Sequence, residues 1–191
     1  YAIAKIAGVE ACRAFNKQYG TKWLAVMPSN LYGPGDNYDL ENSHVLPALI
    51  NKIHKAKLSN KKNVEIWGSG KPKREFLFVD DLADALLFIL ELKEKNFLEL
   101  LKQDATPLIN IGTGKDITIK KLASEIAKII GYKGDFIFNT SKPDGTPQKV
   151  MDVSKINSIG WKYKTDLNFG LKLTYKDYTK FIGKYNLNKS L

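Results

Sequence analysis

The stretch REFLFVDDLADALLFILEL, residues 74–92, decides the fold. Arg74 to Val79 is a short apolar run of strand length. Asp80 and Asp81 then open an apolar helix that runs through about Leu92, with two carboxylates where the helix dipole favours negative charge. A strand feeding directly into a helix is the repeating unit of α/β layering, and the same succession recurs on both sides of it.

Upstream, residues 1–19 read as a helix closed by Gly20, with Ile3, Ile6, Ala7 and Val9 apolar. Lys22 to Met27 suits a buried strand of a parallel sheet and ends in a turn-rich segment, residues 28–37. Ser43 to Lys57 is a second helix with Pro47 in its first turn. Val64 to Trp67 is strand-like and is followed by the turn Gly68-Ser69-Gly70. Downstream, Leu108 to Ile111 is a strand, Gly112-Thr113-Gly114 a turn, and Ile117 to Ile130 an amphipathic helix. A strand at Phe136–Phe138 precedes the polar loop Ser141 to Lys149. A short helix near Asp152–Ile156 and a final one from about Asp166 to Tyr185 complete the chain. The expected class is α/β.

The 191 residues suffice for one good core, or for one domain plus part of another. The net charge of +10 invites a nucleic-acid reading, but only two of the 30 basic side chains are arginine, Arg13 and Arg74. The lysines are scattered, and many, such as Lys120, Lys121 and Lys128, fall on polar helix faces. That pattern describes a solvated surface, and no nucleic-acid partner is expected. A phosphate-bearing small substrate would be drawn to such a field. No run of eighteen apolar residues is present, so no membrane span is expected, and a cytoplasmic address is the default. Cys12 is the one cysteine, which excludes an internal disulfide framework and a cysteine-based zinc cluster; no metal site is expected. The sequence opens with Tyr1 inside a helix that has no capping residue, so the natural polypeptide is expected to extend upstream. The glycine clusters at 33–35, 68–70 and 112–114 lack the G-x-G-x-x-G spacing that lets a backbone approach a pyrophosphate.

Tyr1 and Lys5 stand four apart and share a helix face. A lysine cation beside a phenol favours the phenolate and makes it usable as an acid or base. The pattern alone is weak, since it recurs at Tyr185 and Lys189 in the polar tail. Small residues follow Tyr1 (Ala4, Ala7, Gly8), permitting close approach of a cofactor or a second helix. His44 lies near a helix N-terminus, which biases an imidazole toward neutrality, and it also reads as a surface or cap residue. His54, between Lys52 and Lys55, reads as surface. Arg74 suits a planar fork on phosphate, or an ion pair between domains. Asp144 lies in Pro-Asp-Gly, which is equally a turn signature.

Four segments in order, Tyr1-Ala-Ile-Ala-Lys5, Pro28-Ser-Asn-Leu-Tyr-Gly-Pro34, Arg74-Glu-Phe-Leu-Phe-Val-Asp-Asp81 and Asn110-Ile-Gly-Thr-Gly114, resemble the extended short-chain dehydrogenase/reductases that act on nucleotide sugars. Four more, Asn42-Ser-His-Val45, Trp67-Gly-Ser-Gly70, Ser141-Lys-Pro-Asp-Gly-Thr-Pro147 and Asp152-Val-Ser154, resemble the GDP-L-fucose synthases within that superfamily. The resemblance covers nearly the whole chain.

The resemblance implies the C-terminal portion of a Rossmann-type parallel sheet plus a smaller mixed α/β substrate-binding domain. Residues 1–33 and 79–112 would belong to the NADP-binding part, and residues 34–78 and 113–191 to the part that binds a GDP-sugar. Tyr1, Lys5 and His44 would be catalytic. Tyr1 would donate a proton to the C4 oxygen as hydride arrives, and Lys5 would hold the nicotinamide ribose. His44 would serve epimerisation at C3 and C5, whose protons the C4 carbonyl acidifies. Lys5, Pro28, Ser29, Asn30, Leu31 and His44 would bind the cofactor, NADPH or NADP. Lys52, Trp67, Arg74, Asp144 and Lys149 would bind the substrate; some family members carry Arg at position 52, and Lys52 keeps the charge without the bidentate geometry. The family's epimerising cysteine and its companion serine would lie upstream of Tyr1. Cys12, on nearly the same helix face as Tyr1 but roughly 16 Å further along, cannot share a reacting carbon with it and reads as core.

The implied activity is 3,5-epimerisation of GDP-4-keto-6-deoxy-D-mannose followed by NADPH-dependent reduction to GDP-L-fucose, in a homodimer to which the first helix contributes. Residues 1–191 alone are expected neither to bind NADPH tightly nor to turn over. A different NAD(P)-dependent nucleotide-sugar epimerase or reductase of the same superfamily is the nearer alternative. A basic, non-catalytic binding module is the remoter one.

Overall fold

The computed structural model describes residues 1–39, 42–102 and 106–188. Helix α1 (Ala2–Tyr19) ends at Gly20, and the side chain of Asn16 then anchors the chain that follows, accepting from Thr21 and from the Trp23 N–H at 2.8 Å. Strand β1 (Ala25–Pro28) pairs in parallel with β5 (Leu108–Ile111), with Ala25 opposite Leu108 and Pro28 opposite Ile111. This pair is the Rossmann-like layer.

β4 (Lys73–Phe78) is the centre of a second, mixed sheet. It runs parallel to β2 (Asn30–Tyr32) and to β8 (Gln148–Lys149), and antiparallel to β6 (Asp116–Thr118). β3 (Asn63–Trp67) and β7 (Asp135–Asn139) form a separate parallel pair. Helices α2 (Val45–Leu58), α5 (Ile119–Ile130) and α7 (Leu167–Asn188) close over these strands. α3 (Val79–Leu90) leaves β4 directly, and α4 (Glu94–Lys102) and α6 (Ser154–Ser158) flank β5.

Two apolar clusters hold the molecule together. The larger gathers Ile50 and Ile53 of α2, Leu122 and Ile126 of α5, and Leu171 and Tyr178 of α7. The smaller gathers Ala85 and Ile89 of α3, Ile109 and Ile111 of β5, and Ile156 and Trp161. β4 stands between them: Phe76 and Phe78 enter the larger cluster, while Leu77 enters the smaller. Successive strand residues face opposite ways, so an apolar run covered on both faces follows from this position.

Several expectations shift. Residues 116–118 are a strand rather than the first turn of α5: β-branched Ile117 and Thr118 pair with Arg74 and Lys73, and Thr118 caps the helix by accepting the Lys121 N–H at 3.1 Å. β2, β8 and α4 had no expected counterpart. His54 is half-buried rather than a plain surface residue. Its Nδ1 lies 3.0 Å from the Tyr175 hydroxyl and its ring meets Tyr178 edge-on at 5.1 Å. Burial first, then the charges of Lys57 and Lys55, pushes its imidazole below the ordinary value. Cys12 is half-buried rather than core, because no residue of α1 is buried; Ile3 is 83% and Ile6 62% exposed. Of the second Tyr-x-x-x-Lys pair, Lys189 lies outside the described residues. Among the described residues no helix is long and apolar enough to cross a membrane.

Candidate active site

The cofactor-side candidates occupy two places. Tyr1 and Lys5 share a face at the start of α1, with the Lys5 ammonium 5.3 Å from the Tyr1 ring centroid. The Tyr1 side chain is open, 96% exposed. Pro28, Ser29, Asn30 and Leu31 lie where β1 passes into β2, at the carboxyl end of a parallel strand, where open α/β sheets bind ligands. The Ser29 N–H continues the ladder to Ile111 O at 3.0 Å, while its hydroxyl is buried without a partner among the described residues. Asn30 donates its amide to the Glu75 carbonyl at 2.7 Å. Among the described residues no hydrogen bond or ring contact joins Tyr1 or Lys5 to residues 28–31.

The substrate-side candidates converge. A cleft of about 310 Å³ opens between the N-terminal part of α2, the turn after β3, β4 and the loop 143–145. Lys52, Trp67, Arg74 and Asp144 all line it, drawn from positions up to 92 residues apart. The fifth candidate, Lys149, stands opposite Arg74 in the β4–β8 register.

Each wall residue is held in a definite way. The Lys52 ammonium sits 4.9 Å from the Trp67 ring centroid, and Lys142 approaches the same ring at 5.5 Å. Trp67, at the end of β3, is 59% exposed and presents its indole to the cleft mouth between these cations. Arg74 donates from Nη1 to the carbonyls of Lys73 (2.7 Å) and Thr146 (2.6 Å). It has no carboxylate partner among the described residues, so an interdomain ion pair is not what holds it. The remaining guanidinium N–H groups are open to an anion.

Asp144 does what a turn residue and a wall residue both do. It accepts from the Ser69 N–H (2.8 Å) and hydroxyl (2.5 Å), fastening its loop to the Gly68-Ser69-Gly70 turn. These Ser69 bonds hold its carboxyl below the usual range. Gly68 has φ +80°, and a Cβ there would overlap the Asp144 carboxylate, so this contact needs glycine.

His44 is the N-cap of α2 in extended conformation, and its side chain makes no capping bond. It is exposed and sits between Ser43 and Val45, both of which line the cleft. Two buried oxygens, Ser43 Oγ and Asp36 Oδ2, lack partners among the described residues. Burial pushes the Asp36 carboxyl up, opposed by the Asn37 N–H and by the charge of His44. Asp36, Ser43 and Lys142 were not singled out by sequence reasoning. Each lies inside or beside a quoted motif, and only the folded geometry sets Ser43 in the cleft wall, Lys142 over the Trp67 ring and Asp36 within electrostatic reach of His44. No group of three or more His, Cys, Asp or Glu side chains suited to a metal occurs among the described residues.

The model of the NAD dependent epimerase/dehydratase family matches residues 1–99. GDP-L-fucose synthase of Escherichia coli (strain K12) is 50% identical over 176 residues, covering 92% of this chain and 54% of that protein. Among solved structures, a GDP-mannoheptose C4 reductase from Campylobacter jejuni with NADP bound superimposes with a TM-score of 0.80 at 38% identity, over 93% of this chain and 59% of that one. A GDP-L-fucose synthetase from Naegleria fowleri bound to NADP gives a TM-score of 0.80 at 27% identity, over 96% of this chain and 56% of that one. The chain thus spans about half the length of the curated relatives it matches.

Proposed function

Because the chain belongs to the NAD dependent epimerase/dehydratase family, we propose that the polypeptide carrying it is a GDP-L-fucose synthase. It would epimerise GDP-4-keto-6-deoxy-D-mannose at C3 and C5 and reduce the product at C4. The observation that carries this reading is the convergence of Lys52, Trp67, Arg74 and Asp144 on one cleft. One cationic fork, a second cation and an exposed indole are what a nucleoside diphosphate requires: charge-assisted bonds for the phosphates and a π surface for stacking.

The residues present suit the nicotinamide end of NADP(H). The orphaned Ser29 hydroxyl at a strand's carboxyl end supplies an unused polar group, and the Lys5 ammonium has no ion-pair partner among the described residues. NADPH, when bound, supplies hydride to C4. Tyr1 gives its phenolic proton to the C4 oxygen, and the Lys5 cation stabilises the phenolate left behind. Pro28, Asn30 and Leu31 with Ser29 would line the ring. His44, free of a capping bond at the cleft edge, exchanges a proton at C3 or C5, where the C4 carbonyl stabilises the carbanion as an enolate. Residues 1–33 plus 79–112 would form the hydride-donor side and residues 34–78 plus 113–191 the GDP-sugar side, with Val153, Ile156 and Trp161 of the latter packed into the cluster of Ile109 and Ile111. A homodimer built through α1 would cover the exposed Ile3 and Ile6.

The test is NADPH oxidation by the full-length polypeptide with 4-keto sugars carried on GDP, UDP and dTDP. Turnover confined to the GDP sugar, with GDP-L-fucose as product, is the expected result; equal turnover of the others removes the reading. A second reading, a GDP-sugar C4 reductase, has the support of 38% identity to the Campylobacter enzyme, set against 50% to the GDP-L-fucose synthase of Escherichia coli.

Asp144 gives a separate prediction. Asp144→Ala frees the loop from the Gly68-Ser69-Gly70 turn, and GDP affinity should fall about tenfold by titration calorimetry, the effect of losing one charge-assisted tie. The pH dependence has a definite sign. Because the folded carboxyl is depressed, the tie is fully made above the ordinary carboxylate range and is lost as pH falls through the depressed value. Asp144→Asn, which does not ionise, should flatten that acid limb of GDP binding.

A further inference from the structure

Glu75 is the most deeply buried charged side chain among the described residues, 1% exposed. It lies on the Leu77 side of β4, opposite Arg74, because strand residues alternate. Burying a carboxylate is costly unless its oxygens are bonded, and here they are. Oε1 accepts the N–H groups of Thr113 (2.5 Å) and Gly114 (2.9 Å), in the turn that follows β5. Oε2 accepts the N–H of Met151 at 2.6 Å, just beyond β8. Its backbone carbonyl takes the Asn30 amide at 2.7 Å.

Consecutive residues of β4 therefore hold both ends of the segment 146–151, Arg74 at the Thr146 carbonyl and Glu75 at the Met151 N–H. That segment includes Lys149 and continues the loop bearing Asp144. The same Glu75 carboxylate fixes the carboxyl end of β5, and its main chain fixes Asn30 at the start of β2, just past the end of β1. We infer that Glu75 is a positioning residue for the reaction, a strut that sets the strand ends on the cofactor side against the wall of the GDP-sugar cleft. The inference rests on the functional reading above. The strut touches neither ligand. It decides how the C4 atom of a bound sugar stands relative to Tyr1 and the hydride donor, and misplacement by about 1 Å can cost on the order of a hundredfold in rate.

Two variants of the full-length polypeptide test it. Glu75→Gln keeps the shape, but its NH2 must face one donor. With the amide oxygen turned to Thr113 and Gly114, the Met151 N–H meets another N–H. Gly112→Ala leaves Glu75 charged, yet a Cβ there would overlap Oε1 and push the carboxylate off the turn. The expected result is that both variants fold by circular dichroism and bind GDP within about threefold of the parent, while kcat falls about thirtyfold per folded molecule. In Glu75→Gln, amide hydrogen exchange at Met151 should quicken while Thr113 and Gly114 stay protected. A merely structural role would lower the melting temperature and leave kcat per folded molecule alone. An active parent whose folded variants keep kcat within threefold overturns the inference and leaves the functional reading standing. A parent inactive on GDP-4-keto sugars overturns that reading, and the inference with it.

Discussion

Tyr1→Phe in the full-length polypeptide is expected to slow C4 reduction about a thousandfold while leaving proton exchange at C3 and C5 intact. The substitution removes the phenolic proton and nothing else that the fold uses. Tyr1 is 96% exposed, and the phenyl ring that remains still lies under the Lys5 ammonium, 5.3 Å from its centroid in the parent. General acid catalysis by a positioned side chain contributes about 10² to 10⁴ in rate, so a loss in that range is the signature of proton donation. NADPH oxidation reads the reduction, and deuterium uptake from solvent into the keto sugar reads the epimerisation. Reduction surviving within tenfold of the parent would show that another group protonates the C4 oxygen.

Arg74→Ala should weaken GDP binding by about thirty- to a hundredfold, the loss of about 2–3 kcal/mol that accompanies a charge-assisted fork on phosphate. Part of that loss is indirect, since Arg74 also holds the Thr146 carbonyl at 2.6 Å and with it the loop that closes the cleft. Arg74→Lys keeps the charge and loses the planar fork, so it should recover only part of the affinity. The control is Arg13→Ala: Arg13 is paired with Glu10 on exposed α1 and lines no part of the cleft, so GDP affinity should not move. Calorimetry with GDP alone separates these effects from catalysis. An Arg74→Ala protein that binds GDP as tightly as the parent would remove Arg74 from the phosphate subsite.

How much of this was legible in the sequence differs from element to element. The β4–α3 unit was readable because its signals are local: four consecutive apolar residues, Phe76 to Val79, then two carboxylates at a helix start. The helix α5 was readable from its periodicity, but not the three-residue strand before it, whose only reason to be extended is its pairing with Arg74 and Lys73 more than forty positions earlier. β2 and β8 failed to announce themselves for the same reason; two or three residues carry no period, and the partner strand decides. Lys52, Trp67, Arg74 and Asp144 were picked out by resemblance, since no spacing rule links residues drawn from two strands, a helix and a loop. Glu75 was invisible, although it lies inside a quoted motif: its partners are backbone N–H groups 38, 39 and 76 residues away, and a backbone donor leaves no mark in a sequence. The apolar face of α1 was legible as a face and not as a fate, for the described residues leave Ile3 and Ile6 in solvent.

The central claim joins two chemistries in one site, proton exchange at the carbons flanking a carbonyl and reduction of that carbonyl. One measurement tests it most directly: incubate the full-length polypeptide with GDP-4-keto-6-deoxy-D-mannose and NADPH in D2O, and read the product by NMR. The account predicts GDP-L-fucose with deuterium at C3 and C5 and protium, delivered from NADPH, at C4. A C4-reduced product with protium retained at C3 and C5, or no consumption of the GDP sugar at all, would contradict it.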